Sequence, residues 1–136
     1  MHASGYRLVV TGRVERELSF AYDELVGHAR HETTLPIACV QGWSVSKRWR
    51  GVPVRDLFAM AGAADGAAAR VESLQPRGAF RSSILQPAEA RDPDTLLALF
   101  VGGEPLHVDH GFPVRLVGPN RPGVHQTKWV DRLVVL

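Results

Sequence analysis

The single cysteine of the chain, Cys39, is the first residue whose chemistry could define a site. It ends the segment Leu35–Cys39, in which alternate residues are apolar, as on one face of a strand, and Gly42 follows. A lone cysteine on an apolar strand is typical of a buried structural residue. A strand end before a glycine turn is also where backbone approaches a ligand, and a thiolate there could be a nucleophile or a soft-metal ligand. Residue type alone leaves both interpretations open.

Histidines suggest a second kind of site. His107, Asp109 and His110 lie within four residues of one another, and His125 follows along the chain. Zinc needs three or four converging nitrogen, sulfur or oxygen ligands. We expect a strand here, with His107 and Asp109 on one side and His110 on the other, which disfavours a zinc site. Two other histidines, His28 and His31, are expected to flank a helix end and face solvent.

A polar loop, Gly118–Lys128, forms the third candidate. It contains Arg121, Gly123, His125 and Lys128. Backbone amides at a glycine turn can form an anion-binding nest, and a lysine adds a point charge for phosphate. The loop lacks the spacing of a nucleotide-binding P-loop. An anion site and a plain polar connection with an exposed lysine both remain open.

Short strands and a few small helices must position these residues. Alternating and β-branched segments predict strands over residues 6–11, 14–20, 31–40, 71–74, 79–85, 95–101, 114–117 and 129–136. Helical turns are predicted over residues 21–26, 54–61 and 87–90; the second has apolar residues at helical spacing after Pro53. Strands and helices do not alternate regularly, so the pattern favours a mixed, strand-rich α+β fold with a few short helices.

Composition excludes several classes of protein. The 136 residues, 45% of them apolar, suffice for one domain with its own core, and we predict a single domain spanning residues 1–136. One cysteine excludes a disulfide scaffold. No apolar run reaches the roughly 18 residues of a membrane helix. The 14 arginines and two lysines are scattered among acidic residues, with a net charge of +2, which argues against a nucleic-acid partner.

Six segments, in this order, resemble the molybdopterin-binding domain of the sulfite oxidase superfamily, in its bacterial branch. They are Cys39–Ser44, Trp49–Leu57, Asp94–Ala98, Gly103–Leu106, Asp109–Arg115 and Gly123–Trp129. Each motif is short, but the ordered set covers nearly the whole chain. The resemblance implies the family's strand-rich fold and its molybdenum–molybdopterin cofactor.

The resemblance also implies a role for each matching residue. Cys39 matches the cysteine whose thiolate binds molybdenum, His110 the histidine that contacts the pterin, and Arg115 the arginine that follows it. Lys128 matches a phosphate-binding lysine. Within the loop, Gly123 matches the turn that lets the phosphate approach, Arg121 adjoins it, and His125 stands where animal sulfite oxidases carry an arginine.

In such enzymes the cofactor performs the redox step and the protein positions it. The implied reaction is two-electron oxygen-atom transfer on a small substrate, with electrons leaving to a haem or other carrier. This chain has no CxxCH haem motif and one cysteine for any cluster, so we expect a separate carrier. A cofactor-free binding or structural module of the same fold, and a thiol or zinc enzyme, are the alternatives.

The chain departs from the animal sulfite oxidases in two places near the expected site. Gly42–Ser44 replaces an Asn-Arg-Arg stretch that helps to bind sulfite, and Leu99 falls where a family tyrosine is expected. Arg48 and Arg50, in a predicted loop after the cysteine, could supply anion-binding charge or form an exposed pair.

The family's preceding segment and its dimerisation domain have no counterpart here. We therefore expect the chain to be the carboxy-terminal part of a larger protein, with residues 1–4 as added residues. The bacterial resemblance predicts a membrane domain before it and a location at the extracytoplasmic face of a bacterial membrane.

Overall fold

A computed structural model describes residues 5–38, 44–64, 66–74, 82–119 and 127–136. Ten strands, three short helices and one 3-10 turn make up this part of the chain. In order, these are β1 (Arg7–Gly12), β2 (Leu18–Ala21), α1 (Tyr22–His28), β3 (His31–Ala38), β4 (Ser44–Pro53), α2 (Val54–Ala61), β5 (Ala69–Ser73), β6 (Ser82–Leu85), α3 (Pro87–Arg91), β7 (Leu96–Val101), β8 (Glu104–Pro105), the 3-10 turn Val108–His110, β9 (Arg115–Val117) and β10 (Val130–Val135).

The strands form two five-stranded sheets. The first sheet has the order β2-β1-β10-β5-β6, and its central pair, β1 and β10, is parallel, with Val9 opposite Arg132. The second sheet has the order β3-β4-β7-β8, and β9 also pairs with β7. The first and last strands of the chain are therefore neighbours in one sheet.

The helices begin and end where local chemistry predicts. In α1, the carboxylate of Glu24 accepts a hydrogen bond from the Ala21 amide at 2.8 Å, which satisfies a donor at the helix start. α2 follows Pro53 and ends at Gly62, whose φ of 69° is a left-handed conformation suited to glycine. This second helix spans the residues predicted for it.

Apolar residues fill both faces of the second sheet. Leu97, Leu99 and Leu116 point into the larger core, which also contains Leu8 from the first sheet. The alternate residues of β7 and β9 point to the opposite face, where Leu35, Trp49, Leu96, Ala98, Leu106 and Val117 form a smaller cluster. Strand alternation thus assigns neighbouring residues to two different surroundings.

The mixed, strand-rich fold class is confirmed, whereas some elements differ from the prediction. The predicted loop with Arg48 and Arg50 is the ten-residue strand β4, of which residues 44–51 pair with β3. The predicted strand over 14–20 is confined to Leu18–Ala21. Residues 108–110 form a 3-10 turn and not a strand, closed by the bond from the Gly111 amide to the Val108 carbonyl.

Candidate functional site

A tight turn at Gly111 brings two cations together. Gly111 has a φ of 111°, which L side chains rarely adopt. A β-carbon there would lie 3.0 Å from the Arg115 Cβ and 3.3 Å from the Lys128 Cβ. The turn therefore packs between the bases of both side chains, and its lack of a side chain permits this approach.

Lys128 is held against this turn by hydrogen bonds on both sides. Its Nζ donates to the carbonyl oxygen of Asp109 at 3.0 Å. The next residue, Trp129, donates its amide to the Gly111 carbonyl at 3.3 Å and its indole Nε1 to the Val108 carbonyl at 2.7 Å. The lysine is half-buried, because its own segment is fixed to the 3-10 turn, and this favours the anion site over the plain polar connection with an exposed lysine.

The charge on Lys128 lies in an unfavourable environment. Burial lowers the pKa of its ammonium group, the nearby Arg115 lowers it further, and Asp109 opposes the shift. A cation that has another cation beside it and is partly removed from water gains from a bound anion. This is the electrostatic setting expected of an anion site.

Arg115 supplies the second cation. It begins β9 opposite Ala98 of β7, and only 4% of its surface is exposed. Its guanidinium lies 5.1 Å from the ring centroid of Trp49, within cation–π range. Burial lowers its pKa to about 10, so the group stays charged at neutral pH in a largely desolvated position.

Thr127 fixes the end of the polar loop next to this pair. It is buried, its carbonyl accepts the Leu116 amide at 2.8 Å, and its hydroxyl bonds to the Ser83 hydroxyl. The loop residues Arg121, Gly123 and His125 lie outside the described residues, as does Cys39. The backbone of His110 belongs to the 3-10 turn, and its side chain is outside the described part.

The described members of the possible histidine cluster do not converge on a metal site, in line with the interpretation that disfavoured zinc there. His107 and Asp109 are largely exposed, at 70% and 82% for their side chains. The Nδ1 atom of His107 accepts the Asp109 amide at 3.2 Å. In the part of the chain with described positions, no three His, Cys, Asp or Glu residues are grouped so as to hold a metal.

Two further arginine candidates have structural partners. Arg50 lies 4.1 Å from the ring centroid of Phe100 and donates to the Ala29 carbonyl at 3.1 Å. Arg48 pairs with Glu32 at 3.6 Å on the surface. These contacts account for both side chains without a ligand.

Three other predicted positions are also accounted for. His28 is exposed, as expected, with its ring edge-on to Phe20. His31 is half-buried instead of solvent-facing, because its Nε2 lies 2.8 Å from Asp94 Oδ1. Leu99 is fully buried in the larger core, on the face of β7 opposite to Ala98, so a hydroxyl at this position would not face Arg115.

Two residues of the site, Gly111 and Trp49, were not identified as functional from the sequence. Gly111 lies inside a motif, and its requirement for glycine follows from its φ and its neighbours, which sequence does not show. Trp49 also lies in a motif, and its contact with Arg115 depends on pairing between β4, β7 and β9.

Among the described helices, none has the length and apolar character needed to cross a membrane.

Comparison with known proteins gives a consistent set of relatives. The profile of the family described as "Oxidoreductase molybdopterin binding domain" matches residues 1–136. The chain is 33% identical over 161 residues to the NAD(P)H nitrate reductase of Hordeum vulgare, covering 97% of this chain and 18% of that protein. It is 33% identical over 157 residues to the mitochondrial sulfite oxidase of Mus musculus, covering 96% and 29%.

A bacterial relative and a solved structure extend the likeness. The "Putative protein-methionine-sulfoxide reductase subunit YedZ1" of Azospira oryzae is 30% identical over 133 residues, covering 98% of this chain and 50% of that protein. The crystal structure of the sulfane dehydrogenase SoxCD from Paracoccus pantotrophus superposes with a TM-score of 0.87 at 30% identity, covering 99% of this chain and 39% of that chain. The chain spans half or less of the length of these relatives.

Proposed function

The chain belongs to the oxidoreductase molybdopterin-binding domain family, and we propose that it binds a molybdenum–molybdopterin cofactor used in two-electron oxygen-atom transfer on a small substrate. One observation carries this proposal. Arg115 and Lys128, both partly or fully desolvated, lie on either side of the Gly111 turn. A phosphate-bearing, anionic cofactor would neutralise both charges.

The residues present fit such a group. Within the described residues, the indole Nε1 of buried Trp49 has no hydrogen-bond partner, and it lies beside the guanidinium of Arg115. Buried polar groups are nearly always hydrogen-bonded. Cationic donors together with an unsatisfied buried N–H suit a ligand rich in anionic acceptors.

Each side chain then has a defined task. Lys128 holds the cofactor phosphate as a point charge, and Arg115 adds a planar donor that can bind an oxyanion through two N–H groups. By the family motif, Cys39 would bind the metal as a thiolate, and His110 would contact the pterin. Gly123, Arg121 and His125 would line the approach of the phosphate in the loop before Thr127.

The bound group supplies the two-electron redox chemistry, and the chain supplies binding and orientation. Lys128 and Arg115 stay protonated, since each gains an anionic partner. The cation pair keeps the phosphate end of the cofactor in place through Coulomb attraction, strengthened by low local solvation. The hydrogen bonds of Lys128 and Trp129 to the 3-10 turn fix this end of the site before the ligand arrives, which lowers the entropic cost of binding.

The relatives and the family resemblance also support proposals about the electron-transfer partner of this chain and its location in the cell. One relative is named as a reductase subunit, which supports the proposal that electrons pass to or from a separate carrier, a haem or comparable group in another subunit or domain. We further propose, from the resemblance to the bacterial branch of the family, a place at the extracytoplasmic face of a bacterial membrane, next to a membrane partner.

Metal and pterin analysis tests this function. The chain, made in a host that synthesises the molybdenum cofactor, should contain molybdenum and pterin in equal amounts. Cys39→Ser should lose molybdenum while the protein remains folded. Zinc in place of molybdenum would support a zinc enzyme, and folded protein with neither metal nor pterin would support a non-catalytic module. Either result would overturn the proposal.

A further inference from the structure

The buried indole N–H of Trp49 is a hydrogen-bond donor without an acceptor among the described residues. Trp49 lies in the middle of β4 and is 1% exposed. Its Nε1 makes no hydrogen bond to any described residue. Trp129 shows the usual arrangement, because its Nε1 donates to the Val108 carbonyl at 2.7 Å. A donor shielded from water and left without an acceptor is unfavourable, which indicates that a ligand completes the bond.

The surroundings of Trp49 restrict the chemistry of the ligand that could accept this hydrogen bond. Among the described residues, the ring packs against apolar side chains that carry no acceptor: Leu35, Leu96, Ala98, Leu106 and Val117. The charged side chain that the described part of the chain places over the ring, Arg115, carries only donors. A group that satisfies Trp49 here must bring an acceptor, and the adjacent guanidinium favours an acceptor with negative charge.

The ring has a second task. The Arg115 guanidinium lies 5.1 Å from the ring centroid, so the face of the indole positions the cation. The N–H, by contrast, lies in the plane of the ring and is directed away from that stack. Trp49 can therefore hold Arg115 with its face while its edge donates to a ligand.

We propose that Trp49 is a further cofactor-binding residue, donating its indole N–H to an anionic oxygen of the bound molybdopterin while its ring positions Arg115. This inference rests on the proposed function and adds a residue to it. It separates two contributions of one side chain, the N–H and the aromatic face, which different substitutions remove.

Two variants separate these contributions. Trp49→Phe keeps a ring beneath Arg115 and removes only the N–H, whereas Trp49→Leu removes both. The cofactor-loaded proteins are dialysed, and the retained pterin is measured over time by its fluorescence after acid oxidation. Loss of one hydrogen bond to a charged group should speed cofactor release about tenfold in Trp49→Phe, and Trp49→Leu should release it faster still.

Stability of the cofactor-free protein distinguishes binding from a structural role. Without cofactor, Trp49→Phe should lower the urea midpoint only through its smaller ring, and so by less than a variant that also breaks a protein hydrogen bond, because none of the described acceptors loses its donor. Trp129→Phe is the matched control. Its N–H has a protein acceptor, so its cofactor-free midpoint should fall. A fall of similar size in Trp49→Phe would assign the indole N–H to the protein and overturn the inference.

The indole N–H resonance of Trp49 gives a direct readout. It is identified as the signal missing from the nitrogen-15 spectrum of Trp49→Phe, and it should move downfield when the cofactor is bound. Titration of the cofactor-free protein with inorganic sulfate should leave it in place. A shift with sulfate would assign the donor to a free oxyanion such as a substrate and overturn the cofactor contact.

The two proposals fail in distinguishable ways. A parent protein without pterin would overturn the proposed function and this inference together. A parent that retains pterin, with release from Trp49→Phe at the parent rate, would overturn the role of Trp49 alone.

Discussion

Replacement of Gly111 by alanine probes the geometry on which the site depends. The φ of 111° is unfavourable for any residue with a β-carbon. The new carbon would also lie 3.0 Å from the Arg115 Cβ and 3.3 Å from the Lys128 Cβ and Cγ. Two penalties therefore act at one position, a backbone strain and a steric clash with both cations.

Both penalties can be given a magnitude. Strained backbone at positive φ costs about 1–3 kcal/mol per residue. Inserting one carbon into a packed site costs about 1–3 kcal/mol when its neighbours must shift. Gly111→Ala should therefore lower the free energy of unfolding by about 2–6 kcal/mol. It should also push Lys128 and Arg115 apart and weaken cofactor retention.

Gly103→Ala is the matched control. Gly103 also has a positive φ, of 87°, but a β-carbon there would meet nothing within 4 Å. It should show the strain penalty alone, about 1–3 kcal/mol, with pterin retained. Urea unfolding of both cofactor-free variants gives the two free energies, and pterin content of the loaded proteins gives retention.

The difference between these variants is the decisive quantity. Gly111→Ala should be less stable than Gly103→Ala by at least about 1 kcal/mol and should hold less pterin. Equal stabilities and equal pterin contents would refute the crowding of Arg115 and Lys128 around Gly111, and with it the placement of the cation pair.

Lys128→Met should release cofactor faster than the parent. Because the pKa of Lys128 is lowered in the folded protein, the unfolded chain binds more protons, and the parent's free energy of unfolding should rise as pH increases towards 10.5. Lys128→Met should lack this rise. Urea unfolding of both cofactor-free proteins between pH 8 and 10.5 checks this, and free energies of unfolding with the same pH dependence in both would contradict it. Burial raises the pKa of the Asp131 carboxyl, so folding disfavours its ionised form. Asp131→Asn should therefore raise the free energy of unfolding at pH 7 and leave it unchanged below pH 3. Urea midpoints at both pH values check the direction of this change. Tyr6→Phe should cost about 1–2 kcal/mol by removing the buried bond to the Val130 carbonyl, and an unchanged midpoint would show that this bond contributes nothing.

The sequence predicts an element well where local signals agree. α2 carries apolar residues at helical spacing between Pro53 and Gly62, and its bounds match the prediction. β4 was missed because its residues up to Arg50 are mostly polar or charged. Its strand conformation comes from pairing with β3 and β7 on either side, which is a tertiary effect that overrides local preference.

The candidate site was only partly predictable for a related reason. Motifs identified Arg115 and Lys128 as candidates, but their burial and the contact with Trp49 arise from strands far apart in the chain. Leu99 illustrates the opposite case. Its position was taken to lie near the site, whereas the structure places Leu99 in the larger core. Successive residues of a strand point to opposite faces of the sheet, so a shift of one residue changes the face.

The parallel pairing of β1 with β10 sets the order in which this protein can be completed during synthesis. The hydroxyl of Tyr6 and its acceptor on Val130 are 124 positions apart, so at about 5–20 residues per second the first strand waits on the order of ten seconds for its partner. Until then, one edge of β1 stays open, and long-range pairing of this kind slows folding. The segment with Lys128 emerges in the same final stretch, just before β10. The cation pair therefore forms only once synthesis has passed Lys128, and the cofactor proposed for it would bind after Arg115 and Lys128 are both in place.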